Sequence, residues 1–257
     1  MGVFAPVVGF CVDHTARTRA PRLKRRALLF GLLAFAGGQT PLRVAAASQS
    51  LTVIQQAPRK PGPGKPPLLV LLHGHGADEK DLLPMVARLD PRLAIASLRA
   101  PIQIRQGGYS WFSGNTDADL DDARRAVLEV IDQIVVATNA DANRVYVAGF
   151  SQGAMLALAI ALTEPQKIAG AAVMSGRLAA AIRDRHASVD LLRGFPILVT
   201  HGTEDRQIPI RSARDIRQAL KPLSVDLEYH EFEIGHSISD QTVSVLDRWL
   251  RQRLARP

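Results

Sequence analysis

The 257-residue chain reads as an α/β protein built on a doubly wound, mostly parallel sheet. Three observations predict it. Short, wholly apolar runs such as Leu68-Leu69-Val70-Leu71-Leu72 recur along the chain, as expected of strands buried on both faces. Segments with helical periodicity separate those runs, and that alternation is the mark of parallel strands joined by crossover helices. Apolar residues make up 47% and charged residues 22% of the chain, enough for one large buried core and too apolar for disorder.

Residues 21–26 read Pro-Arg-Leu-Lys-Arg-Arg, residues 27–36 are apolar, and Ala45-Ala46-Ala47 follow. Basic, apolar, then small is the order of an export signal, and the apolar run is too short to span a bilayer. Residues 1–47 are therefore expected to be an export leader of a periplasmic or secreted protein with no stable membrane span. The pair Arg25-Arg26 resembles a twin-arginine signal. Residues 48–67 are expected to hold an edge strand at 51–56 and a Pro/Gly-rich, hairpin-type connection at 57–67.

The catalytic-sized remainder, 68–257, alternates in order. The pattern predicts a strand at 68–72, a helix at 78–89 opened by acidic residues, and a strand at 93–98. A helix follows at 117–138, with apolar residues at 120, 123, 127, 130, 131 and 134. Then come a strand at 144–148, an apolar helix at 152–162, strands at 169–174 and 196–200, a helix at 210–220, a strand at 225–230 and a helix at 240–253. No insertion is long enough for a large lid, so the site should be open and shallow.

The net charge of +8 suggests nucleic acid until the charges are located. Residues 1–47 hold seven Lys/Arg against one acid, and the remainder holds 25 against 23. A nearly balanced body with no basic run excludes a phosphate-tracking surface, so no nucleic-acid partner is expected. The single cysteine, Cys11, permits no intrachain disulfide.

Gly149-Phe150-Ser151-Gln152-Gly153 fits G-x-S-x-G and sits between a predicted strand and a predicted helix. A serine there is expected at φ > 0, with only small residues tolerated two positions to either side. Its hydroxyl would stand at a helix N-terminus, where free N–H groups favour developing negative charge. A nucleophilic serine needs a base, and the base an orienting carboxylate, in the chain order Ser, Asp/Glu, His. Of seven histidines, only His230 and His236 follow a plausible acid loop. His230 lies on the polar face of an alternating strand. His236 follows Ile234-Gly235 on a loop at a strand's C-terminal end, where function concentrates. Asp205, in the loop after the strand at 196–200, is the expected acid, with Glu204 its neighbour and runner-up; His201 is expected to be a structural loop residue. The oxyanion would be met by the N–H of Gln152 and an N–H from His73-Gly74-His75-Gly76, with the His75 side chain at the rim. Two histidines without a cysteine or carboxylate cluster do not form a metal site. Tyr109, Trp111 and Phe112 are candidates to line an acyl pocket or, equally, to pack a long loop.

The motif order resembles the phospholipase/carboxylesterase family of the α/β-hydrolase superfamily, which includes acyl-protein thioesterases. The resemblance is carried by 72–78 (Leu-His-Gly-His-Gly-Ala-Asp), Gly149 through Ala154, and His201-Gly202-Thr203-Glu204-Asp205 with Ile208-Pro209. Gly235-His236 and the loop from Pro101 to Phe112 complete it, so that the likeness spans about 68–253. It implies ester or thioester hydrolysis of a small ester or lipid-like substrate without cofactor or metal. It implies Ser151, Asp205 and His236 as triad and His75 and Gln152 as oxyanion donors. His75 stands where the family more often has an apolar residue, and Ser-Ile-Ser follows His236. The alternatives are an exported polyester- or peptide-cleaving hydrolase of the same fold and a non-catalytic binding module.

Overall fold

The structure, a computed structural model, describes residues 41–44, 51–105, 107–114 and 117–255; apart from Pro41–Val44, the expected leader lies outside them. The strands are β1 (Pro41–Val44), β2 (Leu51–Gln56), β3 (Leu68–Leu72), β4 (Ala94–Leu98), β5 (Ile102–Gln103), β6 (Tyr109–Ser110), β7 (Val145–Phe150), β8 (Gly170–Met174), β9 (Pro196–Gly202) and β10 (Asp226–Phe232). The helices are α1 (Leu83–Val86), α2 (Asp117–Thr138), α3 (Gln152–Thr163), α4 (Ala180–Arg183), α5 (Val189–Leu192), α6 (Arg211–Leu220) and α7 (Asp240–Leu254).

Eight strands form one sheet in the order β1-β2-β4-β3-β7-β8-β9-β10, and β5 pairs β6 in a small hairpin. From β4 to β10 every pairing is parallel; β2 runs antiparallel to β4 and β1 antiparallel to β2. The buried strand β3 shows how the sheet is covered on both faces. Leu68, Val70 and Leu72 join a core with α2, α3 and α6, whereas Leu69 and Leu71 join a second core with α1 and α7. That period-two split of an all-apolar strand is what crossover helices on both faces require. Helix α3 is buried along nearly its whole length, which explains why it is apolar all round.

Four expectations need correction. The helix expected at 78–89 is a single turn, Leu83–Val86. Pro84 has no N–H, and its ring would clash with the carbonyl of Lys80, so a helix can start there but not run through. The strand at 51–56 is not the edge, because β1 pairs outside it. Nor does 57–67 close a hairpin: β2 and β3 both flank β4, so the segment crosses from one side of that strand to the other. Finally, His201 lies within β9 rather than in the loop after it. No lid domain stands over the sheet among the described residues; α4 and α5 are single turns between β8 and β9.

Leu156, fully buried at the middle of α3, packs in the larger core. Leu156→Ala is expected to cost about 2–5 kcal/mol through lost transfer energy plus a cavity, read as a lowered urea midpoint with unchanged slope. A loss below about 1 kcal/mol would mean that this helix is not part of the cooperative core.

Candidate active site

The candidate residues all emerge at the C-terminal ends of parallel strands, where open α/β sheets place their sites. Ser151 follows β7 and caps α3, Asp205 follows β9, His236 follows β10, and the 73–76 loop follows β3. Ser151 has φ 53° and ψ −114°, a conformation that a side chain adopts only under constraint. The constraint is visible in its neighbours. A Cβ on Gly149 would lie 2.2 Å from the carbonyl oxygen of Gly153, and one on Gly153 would lie 2.1 Å from that of Leu72. Backbone therefore touches backbone on both sides of the serine, and no side chain fits.

Three side chains form one hydrogen-bonded chain. His236 Nε2 lies 2.9 Å from Ser151 Oγ, and His236 Nδ1 lies 2.6 Å from Asp205 Oδ2. A carboxylate oxygen only accepts, so Nδ1 carries the proton and Nε2 is left as acceptor for the serine hydroxyl. Asp205 has no exposed side-chain surface. Its other oxygen accepts from the amides of Gln207 at 2.9 Å and Ile208 at 2.8 Å. Glu204, the runner-up, is exposed, whereas Asp205 is buried. His230 bonds Glu228 at 2.9 Å on the outer strand, away from this chain.

The loops carrying acid and base are docked backbone to backbone. Thr203 and Glu204 donate their amides to the carbonyls of Phe232 and Ile234 at 2.7 Å and 3.1 Å. A Cβ on Gly202 would lie 2.2 Å from the Ile234 oxygen, so the glycine permits the approach. His201, buried in β9, donates Nε2–H to the Ile208 carbonyl at 2.7 Å and lies 3.4 Å from Asp205 Oδ2, which closes the acid loop on itself. Ser237-Ile238-Ser239 after the base ends in a helix cap: Ser239 and Thr242 form a capping box at the start of α7.

Among the described residues, neither the His75 nor the Gln152 N–H has a backbone acceptor. The loop that carries His75 is held from several directions. His73, buried, donates Nδ1–H to the Gly74 carbonyl at 2.7 Å and accepts from the Ala100 amide at Nε2, 3.0 Å away. Trp111 Nε1 donates to the His73 carbonyl at 2.8 Å. The His75 imidazole is exposed at the rim and meets Ser110 Oγ at 3.0 Å. The Gln152 side chain accepts from the Trp111 amide at 2.9 Å and donates to the Phe112 carbonyl at 2.9 Å, clamping the 110–112 segment to the serine turn. Sequence reasoning gave Gln152 only its amide and missed this clamp. It also missed Glu79, buried and paired with Arg99 beneath the same loop. Burial pushes the Glu79 carboxyl up, but the hydrogen bonds from Arg99, a backbone hydrogen bond and the charges of Arg99 and Lys80 together outweigh it and hold the group below its ordinary value.

The three aromatic candidates separate. Trp111 and Phe112 line a cavity of about 470 Å³ together with Ile102 and, from the facing α2, Ala123 and Ala126 beside the charged Asp119, Asp122, Arg125 and Glu129. Trp111 is at the same time a core residue, 2% exposed. Tyr109 turns elsewhere: the Arg99 guanidinium lies 4.6 Å from its ring centre.

Burial lowers the His73 imidazole below its ordinary value of 6.5, a shift that the Gly74 hydrogen bond and Asp81, Asp78 and Glu79 only partly offset. The unfolded chain then binds a proton near pH 6.5 that the folded chain refuses, so stability falls as pH drops through that value. His73→Asn is expected to lose about 1–3 kcal/mol at pH 7.5 for the broken buried hydrogen bonds. It should also lose less stability than wild type between about pH 7.5 and pH 5. Urea unfolding at both pH values measures the difference, and equal pH slopes would remove His73 from the account.

With this geometry described, comparison with known proteins gives a consistent picture. The Phospholipase/Carboxylesterase family matches residues 56–254. An Arabidopsis thaliana protein named probable carboxylesterase SOBER1-like is 31% identical over 167 residues, 60% of this chain and 63% of its own length. The chain therefore spans less than two thirds of that relative. A rice protein (Oryza sativa subsp. japonica) named a probable inactive carboxylesterase is 30% identical over 208 residues, 73% of this chain and 85% of its own length. The crystal structure of Arabidopsis thaliana SOBER1 superimposes with a TM-score of 0.64 at 26% identity, covering 73% of this chain and 99% of that one. An α/β-hydrolase sheet, and a family match that runs through every strand from β3 to β10, lead to one conclusion: the chain belongs to the Phospholipase/Carboxylesterase family of hydrolases.

Proposed function

We propose that the protein hydrolyses carboxylic esters through an acyl-enzyme on Ser151. The observation that carries this reading is the continuous hydrogen-bonded chain from Ser151 Oγ through His236 to buried Asp205. Ser151 Oγ attacks the ester carbonyl carbon while its proton passes to His236 Nε2, and Asp205 stabilises the imidazolium through Nδ1–H. The oxyanion is met by the amides of Gln152 and His75, each donor of this kind contributing about 10²–10³ in rate. The C–O bond to the alcohol then breaks, and the alcohol oxygen takes the proton from His236 Nε2. A water molecule then attacks the acyl carbon while His236 Nε2 takes its proton; the bond from the acyl carbon to Ser151 Oγ breaks, Oγ recovers the proton from His236, and the acyl group leaves as the acid. The cavity behind Trp111 and Phe112 is the acyl site in this reading: its two aromatic rings with Ile102, Ala123 and Ala126 offer apolar contact to an acyl chain, and Asp119, Asp122, Arg125 and Glu129 complete its wall.

Hydrolysis of p-nitrophenyl esters of about two to twelve carbons tests it. Wild type should turn over with a chain-length optimum, and Ser151→Ala should lose about 10⁴-fold or more in kcat. A fluorophosphonate probe should label wild type and not the variant. A folded wild-type protein that neither labels nor turns over any ester would overturn the proposal.

The proposal includes export. The basic, apolar and small-residue order of residues 1–47 supports it, with cleavage near Ala45–Ala47. Cleavage there removes β1 and leaves β2 as the sheet edge. N-terminal sequencing of the mature protein from its native host should begin close to residue 48; a mature chain that retains Arg25-Arg26 would overturn it.

A further inference from the structure

Resting on the ester-hydrolase reading, the departing alcohol takes its proton from His236 Nε2 and must leave past that ring. A cavity of about 770 Å³ opens beside His236. It is built from Thr203, Glu204, Asp205, Arg206, Gln207 and Gly235 with His236 itself, and since the Asp205 side chain is buried it offers a hydroxyl, the Glu204 carboxylate, a guanidinium and an amide and no aliphatic side chain. The loop that presents these groups is fixed. Its backbone is pinned to the Phe232 and Ile234 carbonyls, and Asp205 in its middle is anchored inward by the Gln207 and Ile208 amides. With Asp205 buried, its neighbours Glu204 and Arg206 are the exposed ones. Among the described residues neither of their side chains has a hydrogen-bond or ion-pair partner, although many other charged side chains on the surface are paired.

The mixed signs decide what such a wall accepts. An anionic alcohol gains Arg206 and is repelled by Glu204; a cationic one meets the reverse. A neutral group with adjacent hydroxyls suits both, donating to the carboxylate and accepting from the guanidinium and amide. We propose that Glu204 and Arg206 form a leaving-group subsite for a polyhydroxylated alcohol, so that the natural substrate is an acyl ester of a sugar or of glycerol.

The test holds the acyl group constant. Butyrate esters of glucose, glycerol, ethanol and choline, and of the anionic alcohol lactate, are compared by kcat/KM in wild type and in the Glu204→Ala/Arg206→Ala double variant. Wild type should prefer at least one polyol ester over ethyl butyrate by about tenfold or more, as two charge-assisted hydrogen bonds allow. The double variant should bring that ratio to about two or below, whatever its absolute rate on ethyl butyrate. A preference for glucose over glycerol assigns a sugar, and the reverse assigns glycerol. Equal rates on polyol and ethyl esters overturn the subsite, as do a preference for the choline or lactate ester and a polyol preference that survives the double substitution. If no ester at all is hydrolysed, the ester-hydrolase reading fails instead, and Ser151 labelling by the fluorophosphonate probe distinguishes the two failures.

Discussion

The site depends on one close approach of backbones, where Gly153 at the first turn of α3 lies against the carbonyls of Leu72 and His73. That contact sets the start of α3 over the end of β3, and so forces the chain leaving β7 to turn through a serine at φ 53°. The strain costs about 1–3 kcal/mol. What holds it is the burial of the helix behind it: Leu156, Leu158, Ile160 and Leu162 are each at most 2% exposed, and each such side chain contributes about 1.5–3 kcal/mol. Burial outweighs strain several-fold, so the turn cannot relax without withdrawing α3 from the core. The same contact brings the β3 loop beside the serine: a Cβ on Gly74 would lie 3.4 Å from Ser151 Cβ.

Asp205 poses the opposite problem, since a buried carboxyl group costs several kcal/mol unless its oxygens find donors. Its solution is local on one side and long-range on the other. The amides of Gln207 and Ile208, two and three residues on, serve one oxygen, and His236, thirty-one residues on, serves the other. The local half preforms the loop, and His201 locks it by bonding Ile208. The long-range half depends on β9 and β10 being adjacent, with Glu231 beside His201 and Phe232 beside Gly202 in register. Acid and base are thus brought together by the last parallel pairing of the sheet.

What was legible in the sequence follows from that division. The serine turn could be read because strand, glycines, serine and helix are contiguous, and each constrains the next over five residues. Asp205 and His236 could be placed because both follow recognisable strands. The route of 57–67 could not, because β4 takes its place between β2 and β3 only after it appears in the chain. The short α1 follows from Pro84, whose missing N–H outweighs the acidic residues that precede it. Gln152 as a clamp, and Glu79 with Arg99 beneath the β3 loop, join residues forty-one and twenty positions apart. No local pattern in the sequence predicts such pairs.

These long-range ties also explain how the candidate site is held in place with no lid domain among the described residues. Enzymes that close over substrate assemble their oxyanion donors during closure. In the proposed reaction the donors must be in place beforehand, because electrostatic stabilisation is effective only where the dipoles need no reorganisation. The β3 loop meets that demand with hydrogen bonds on several sides: the His73 ring to Gly74 and Ala100, Trp111 to the His73 carbonyl, and the Gly76 amide to the Tyr109 carbonyl at 2.9 Å. His75 fits the same logic. An apolar residue at that position could only cover the rim, whereas the imidazole ties the loop to Ser110, and Ser110 in turn lies 3.1 Å from the Gln152 amide nitrogen. The loop after β3 and the turn after β7, each bearing one of the two free amides, are thereby joined through side chains as well as through the glycine contact.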